Sequence, residues 1–207
     1  MLKIKYFIQQ SWLLIVSSFC FGLLIAASNA ALSPRIERNL ANKLNQLIVV
    51  LLPAAKEFIP SDVDIEVQTG TGKKEKVKIY KALSDTEQCV GWSFKAAGEG
   101  FSGKIELVVA VDKDFEKIAG FDVLTSSETP GFGDQIKMSY FRSQFAGAPA
   151  EELAVVKTGE PTKIDSEIVA ITGATVSSEA VVNILNSFIS SINKQMKERG
   201  LLGDGTK

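Results

Sequence analysis

At 207 residues the chain has room for one globular domain plus an appendage, and 23 Lys+Arg against 24 Asp+Glu leave a net charge of −1, with no surplus that would draw it to nucleic acid. It contains no histidine, which excludes Ser-His-Asp and Cys-His catalysis and removes the commonest zinc and haem ligand. The two cysteines, Cys20 and Cys89, are too few for an iron–sulfur cluster and too differently placed for an internal disulfide, so any redox chemistry must come from a bound organic cofactor.

Residues 1–11, with Lys3 and Lys5, form a basic cytoplasmic N-terminus, and 12–32 is an apolar run broken only by small or mildly polar residues. At about 1.5 Å per residue, roughly twenty residues cross a bilayer core of about 30 Å. The competing reading is a cleaved signal peptide, because Ser28-Asn29-Ala30 has the small-x-small form of a cleavage site; the length of the run favours a retained anchor. Either way a short basic N-terminus stays inside, which places the body outside the cytoplasm of a bacterial cell.

Residues 33–60 read as a helical stalk. Ser33-Pro34 suits N-cap and N1, and Ile36, Leu40, Leu44, Leu47 and Leu51 recur at helical steps. The helix is expected to end near Pro53, or to run kinked to Pro60, and it can simply continue the membrane helix outward.

The domain proper spans 61–200 and reads as α+β, an antiparallel-rich sheet packed with helices. Val63-Ile65-Val67, Val77-Ile79, Trp92-Phe94, Ile105-Leu107-Val109-Val111 and Ile118-Phe121-Val123 alternate as strands do, with hairpin connections at Thr69–Lys74 and Asp112–Asp114. Gly98-Glu99-Gly100-Phe101-Ser102-Gly103 matches G-x-G-x-x-G, but a strand follows it and not the helix a dinucleotide needs, so it is a Gly-rich turn. A helix is expected at Gln135–Phe145 and a short strand ending at Val155-Val156-Lys157-Thr158. The last helix follows Thr175, with Val181, Leu185, Phe188, Ile192 and Met196 on its apolar stripe and Gly200 at its end; 201–207 is a polar tail.

Two stretches carry the chemistry. In Ile171-Thr172-Gly173-Ala174-Thr175-Val176-Ser177-Ser178 small residues allow close backbone approach, while a helix N-terminus offers unpaired N–H groups and a positive dipole end to an anion. One or two of the hydroxyls are expected to cap the helix and the others to face outward; plain capping is the commoner role of such clusters. In Glu128-Thr129-Pro130-Gly131-Phe132-Gly133, Pro130 fixes φ and the glycines permit a tight turn, a rigid loop able to hold Thr129 and Phe132 against a planar ring.

The first stretch resembles the S/T-G-A-T flavinylation motif of the RnfG and NqrC family of FMN-binding subunits. The second resembles that family's E-T-P-G-L-G segment, with Phe132 in place of Leu, and Gly100-Phe101-Ser102-Gly103 resembles its G-F/Y-S-G turn. The resemblance implies a membrane-anchored, extracytoplasmic electron-carrier subunit of an ion-translocating Rnf-type complex, with FMN esterified through its phosphate to Thr175 by a flavin transferase. It implies cofactor contacts from Glu128, Thr129, Phe132, Thr172, Gly173, Ala174, Val176 and Ser177, and a Lys157 charge near the isoalloxazine that favours reduced, anionic flavin. The implied partners are the other subunits of the complex, the transferase and the lipid bilayer. The chain departs from the pattern at Val169, where the family commonly has Asp, and near Ser126, where it often has His. Two rival readings remain: a free-standing anchored FMN-binding domain of another respiratory reductase, and a non-redox anchored binding domain whose Thr-Gly-Ala-Thr turn is only a helix cap.

Overall fold

Apolar patterning over the first fifty residues produces one helix, α1, Leu2–Leu51, in a computed structural model that describes residues 2–61, 65–68 and 74–202. From Gln10 onward α1 is long and apolar enough to cross a membrane. Pro34 lies inside it and does not open a second helix, and the Ser33 hydroxyl donates back to the Asn29 carbonyl at 2.8 Å instead of capping. The helix stops at Leu51, where the approach of Pro53 disfavours further α geometry. Residues Glu57–Pro60, expected as the end of the stalk, are instead strand β1, whose antiparallel pairing to Ile79–Leu83 (β4) makes extended backbone the better use of Phe58-Ile59-Pro60. Two compact units result, residues 1–43 and 44–207.

The second unit is built on a five-stranded antiparallel sheet in the order β1-β4-β5-β6-β7, with β4 at Ile79–Leu83, β5 at Cys89–Glu99, β6 at Lys104–Asp112 and β7 at Ile118–Ser126. Interior strand β6 is buried on both faces, from Leu107 through Val111, because the main core covers one side and a small cluster of Leu52, Ala55, Ala82 and Ala110 the other. A β2–β3 pair, Ile65–Gln68 with Lys74–Val77, lies apart from this sheet, and β8 (Ala154–Val156) runs parallel to β9 (Glu167–Val169). Val63 and most of the expected Thr69–Lys74 connection fall outside the described residues.

Helix α3, Thr175–Glu198, lays Val181, Leu185, Phe188, Ile192 and Met196 into the main core as the stripe predicts. Its approach to β5 is close: a Cβ on Gly98 would stand 2.6 Å from Ile184 Cγ1. Side-chain amides hold the flanking strands to the body by taking both backbone groups of one residue: Asn186 of α3 those of Leu153, Gln195 of α3 those of Glu66, and buried Gln144 those of Val169 in β9.

The single helix expected at Gln135–Phe145 is three short turns: a 3₁₀ turn at Gly133–Lys137, helix α2 at Ser139–Arg142, and a second 3₁₀ turn at Ser143–Phe145. Met138, at ψ 145°, interrupts them. Packing explains the break. Ile136 and Phe141 are both fully buried, yet a five-residue step on a straight helix points about 140° away, so one face could not bury both. After the break Phe141 and Phe145 meet Phe121 edge to face, at centroid distances of 6.4 and 4.8 Å.

Candidate functional site

The cleft forms where three connections meet: the Gly-rich turn between β5 and β6, the loop after β7, and the turn into α3. Gly100 N–H donates to the Gly103 carbonyl at 2.8 Å, which tightens the first of these and leaves Phe101 at its tip. In the second, Gly131 takes φ 79°, its N–H donates to Asp134 Oδ1 at 2.7 Å, and the Gln135 amide donates to the Gly131 carbonyl at 2.8 Å. This local network tightens the loop on itself. In the third, Gly173 takes φ 81°, the left-handed conformation that favours glycine, and the Ala174 N–H donates to the Ile171 carbonyl at 2.9 Å.

Glu128 joins all three. It is 6% exposed; Oε1 accepts the Ser102 N–H at 3.0 Å and Oε2 accepts the Ser177 hydroxyl at 2.5 Å. Gly100 and Gly133 present bare backbone to the carboxylate, where a Cβ would overlap Oε1 and Oε2 respectively. Above it the Ser102 and Thr129 hydroxyls share a hydrogen bond at 3.0 Å.

The cleft between these connections holds about 550 Å³, within the range of small-molecule sites. Phe101, Phe132 and Val176 form an apolar rim, and Glu128, Thr129 and Gly133 line the loop side. Gly173, Ala174, Thr175 and Ser177 line the helix side. Phe101 and Phe132 are 68% and 61% exposed, a large amount of apolar surface for two residues that face one cleft.

The start of α3 differs from the sequence expectation. Its N-cap residue is Ala174, with no side-chain hydrogen bond capping the helix, so neither Thr172 nor any other hydroxyl serves as cap. Ser177 is committed to Glu128, while Ser178 donates to the Ala174 carbonyl and accepts the Ile171 N–H, each at 3.0 Å. The first-turn N–H groups, which no i−4 carbonyl can serve, are thus spared, and half-buried Thr175, the first residue of the helix, lines the cleft beside them. Exposed rings, spared N–H groups and a hydroxyl at their base fit a planar aromatic ligand carrying an anionic tail.

Of the residues singled out in the sequence, the structure brings Glu128, Thr129, Phe132, Gly173, Ala174, Thr175, Val176 and Ser177 into one cleft. Thr172 is exposed and does not line it, and neither does Lys157, an exposed residue just past β8. Ser102 and Gly133 contribute without having been named as ligands. Their signal was the density of glycine around them, which sequence alone reads as turn chemistry.

A family model described as the FMN-binding domain matches residues 100–190, a span that contains every lining residue of the cleft. The chain is 34% identical over 146 residues to the G component of the ion-translocating oxidoreductase complex of Methanosarcina acetivorans, an alignment covering 69% of this chain and 74% of that protein. It is 30% identical over 179 residues to the G component of the proton-translocating ferredoxin:NAD(+) oxidoreductase complex of Clostridium ljungdahlii, covering 86% and 88%. Among solved structures, NqrC of Shewanella oneidensis shares the fold at a TM-score of 0.54 and 22% identity, covering 70% of this chain and 73% of that one.

Proposed function

The chain belongs to the RnfG/NqrC-type family of FMN-binding subunits, and from that premise we propose that it is the electron-carrying subunit of a membrane-bound, ion-translocating Rnf-type oxidoreductase complex, with FMN joined by a phosphoester to Thr175. Bound there, FMN supplies reversible uptake and release of electrons.

The protein's own residues do the rest. The uncapped N-terminus of α3 and its dipole receive the phosphate, with Gly173 and Ala174 allowing close approach and the Thr175 hydroxyl supplying the attachment oxygen. Phe101 and Phe132 offer apolar faces to the ring, and Val176 closes the rim beside them. Thr129 and Ser102 fix the loop and the Gly-rich turn to one another. Lys157 has no part in this reading, because it does not line the cleft.

Helix α1 anchors the domain in the bilayer, with the body on the extracytoplasmic side. Covalent attachment has a physical motive in that location: a cofactor that dissociates outside the cytoplasm is lost, and an ester tether removes the dissociation equilibrium. The other subunits of the complex and a flavin transferase are its partners.

The observation that carries the proposal is the meeting of two sequence-distant motifs at one uncapped helix terminus. Its test is intact-mass measurement of full-length protein co-expressed with a flavin transferase, followed by peptide mapping. An FMN-sized adduct on the Thr175 peptide is expected, absent in Thr175→Ala. A colourless wild-type product of unmodified mass refutes the reading, and covalent flavin retained in Thr175→Ala refutes the site.

A further inference from the structure

We propose that Glu128 sets the electrical polarity of the cleft: a buried anion without a cation opposite it disfavours electron uptake there and makes this protein a low-potential carrier. The inference rests on FMN occupying the cleft, and concerns how this chain tunes it.

Among the described residues, Glu128 is the only ionisable side chain lining the cleft. No Lys or Arg pairs with it among those residues. The Ser102 N–H and the Ser177 hydroxyl orient the carboxylate, and both are neutral dipoles that bring no counter-charge to it. The backbones of Gly100 and Gly133 close against the two oxygens and hold the group in place, 6% exposed.

Glu106 shows how the same sheet treats an acid when only structure is at stake. Burial acts to raise its pKa, but hydrogen bonds from Lys104, Lys95 and Thr125 outweigh that and hold it at about 2, with the two ammonium groups at 2.8 and 3.0 Å. The chain has 23 basic residues, and none is brought to Glu128 among those described. Each electron delivered into the cleft adds negative charge beside an anion already present, in a setting where partial burial strengthens the repulsion. The sign is opposite to the one a Lys157 contact would give.

The test is the midpoint potential of the flavin-loaded, full-length protein, read by dithionite titration against indicator dyes. Glu128→Gln keeps an oxygen to accept the Ser102 N–H and an amide to meet the Ser177 hydroxyl, so it removes charge while preserving shape. The expected result is a rise in midpoint potential with the melting temperature near wild type. Glu160→Gln, an exposed acid away from the cleft lining, is expected to leave the potential unchanged. An unchanged or lowered potential in Glu128→Gln overturns the inference. If that variant does not fold, Thr129→Lys supplies the missing cation from an exposed lining position, and absence of a rise there overturns it equally. A wild-type sample without adduct is a different failure: it removes the underlying reading, and this inference with it, before any potential is measured.

Discussion

The two ends of α3 are finished in opposite ways. At the C-terminal end Gly200 takes φ 65°, its N–H donates to the Lys197 carbonyl at 3.1 Å, and the Leu201 N–H reaches back to the Met196 carbonyl at 3.0 Å. This is a Schellman closure, completed by Leu201 packing against the core, and it satisfies carbonyls that the helix would otherwise leave open. The N-terminal end has four hydroxyl residues within reach, at 172, 175, 177 and 178, and uses none of them as a cap. One end of the helix is closed on itself, and the other leaves its first-turn donors and its positive dipole end open.

The largest expected effect comes from disturbing the unsatisfied end. In Gly133→Ala the new Cβ would overlap Glu128 Oε2 and stand 2.6 Å from Ser177 Oγ, both already drawn together by a short hydrogen bond. Overpacking of this kind costs about 1–3 kcal/mol. A lower melting temperature and near-complete loss of the FMN-sized adduct are expected together, and wild-type values for both would show that the loop is free to move away. At the other end Gly200→Ala forces a Cβ into the left-handed region, at a cost of about 1 kcal/mol. That variant is expected to melt earlier and to carry as much flavin as wild type. A matching loss of adduct would mean the two ends are not separable.

The contrast also marks what could be read from residues alone. Gly200 and the stripe from Val181 to Met196 are local patterns, and the structure matches them because capping and helical burial depend on near neighbours. The strands from Cys89 to Ser126 are equally legible from their apolar runs, whereas the expected Val77-Ile79 strand is split, Val77 closing β3 and Ile79 opening β4 in a different sheet. The expected helix at Gln135–Phe145 breaks because tertiary packing buries Ile136 and Phe141 on directions one helix cannot serve. The stretch at Phe58-Ile59-Pro60 turns into a strand because β4 offers it a partner more than twenty residues further along the chain, Phe58 opposite Ala82 and Ile59 opposite Lys81. In the cleft, turn chemistry located the two motifs, but nothing in their spacing could show that Glu128 meets Ser177 across 49 residues, or that Lys157 stays outside.

The smallest and most discriminating change is to give the N-terminal end the cap it lacks. In Ala174→Ser the hydroxyl sits at the N-cap, in reach of the N–H groups of Val176 or Ser177. Caps of this kind add about 0.5–1 kcal/mol, so the melting temperature is expected to rise slightly. Those same N–H groups are the ones proposed to receive the phosphate, and the modified fraction measured by intact mass is therefore expected to fall. Because Ala174 is only 7% exposed, the added atom also tests the packing, and Ala174→Cys separates the two effects: it adds similar bulk but accepts hydrogen bonds weakly. The cysteine variant is expected to be no more stable than wild type and to load more flavin than the serine variant. Equal loading in the two would assign the loss to bulk, and a serine variant that gains stability with undiminished loading would show that the spared donors are not where the phosphate binds.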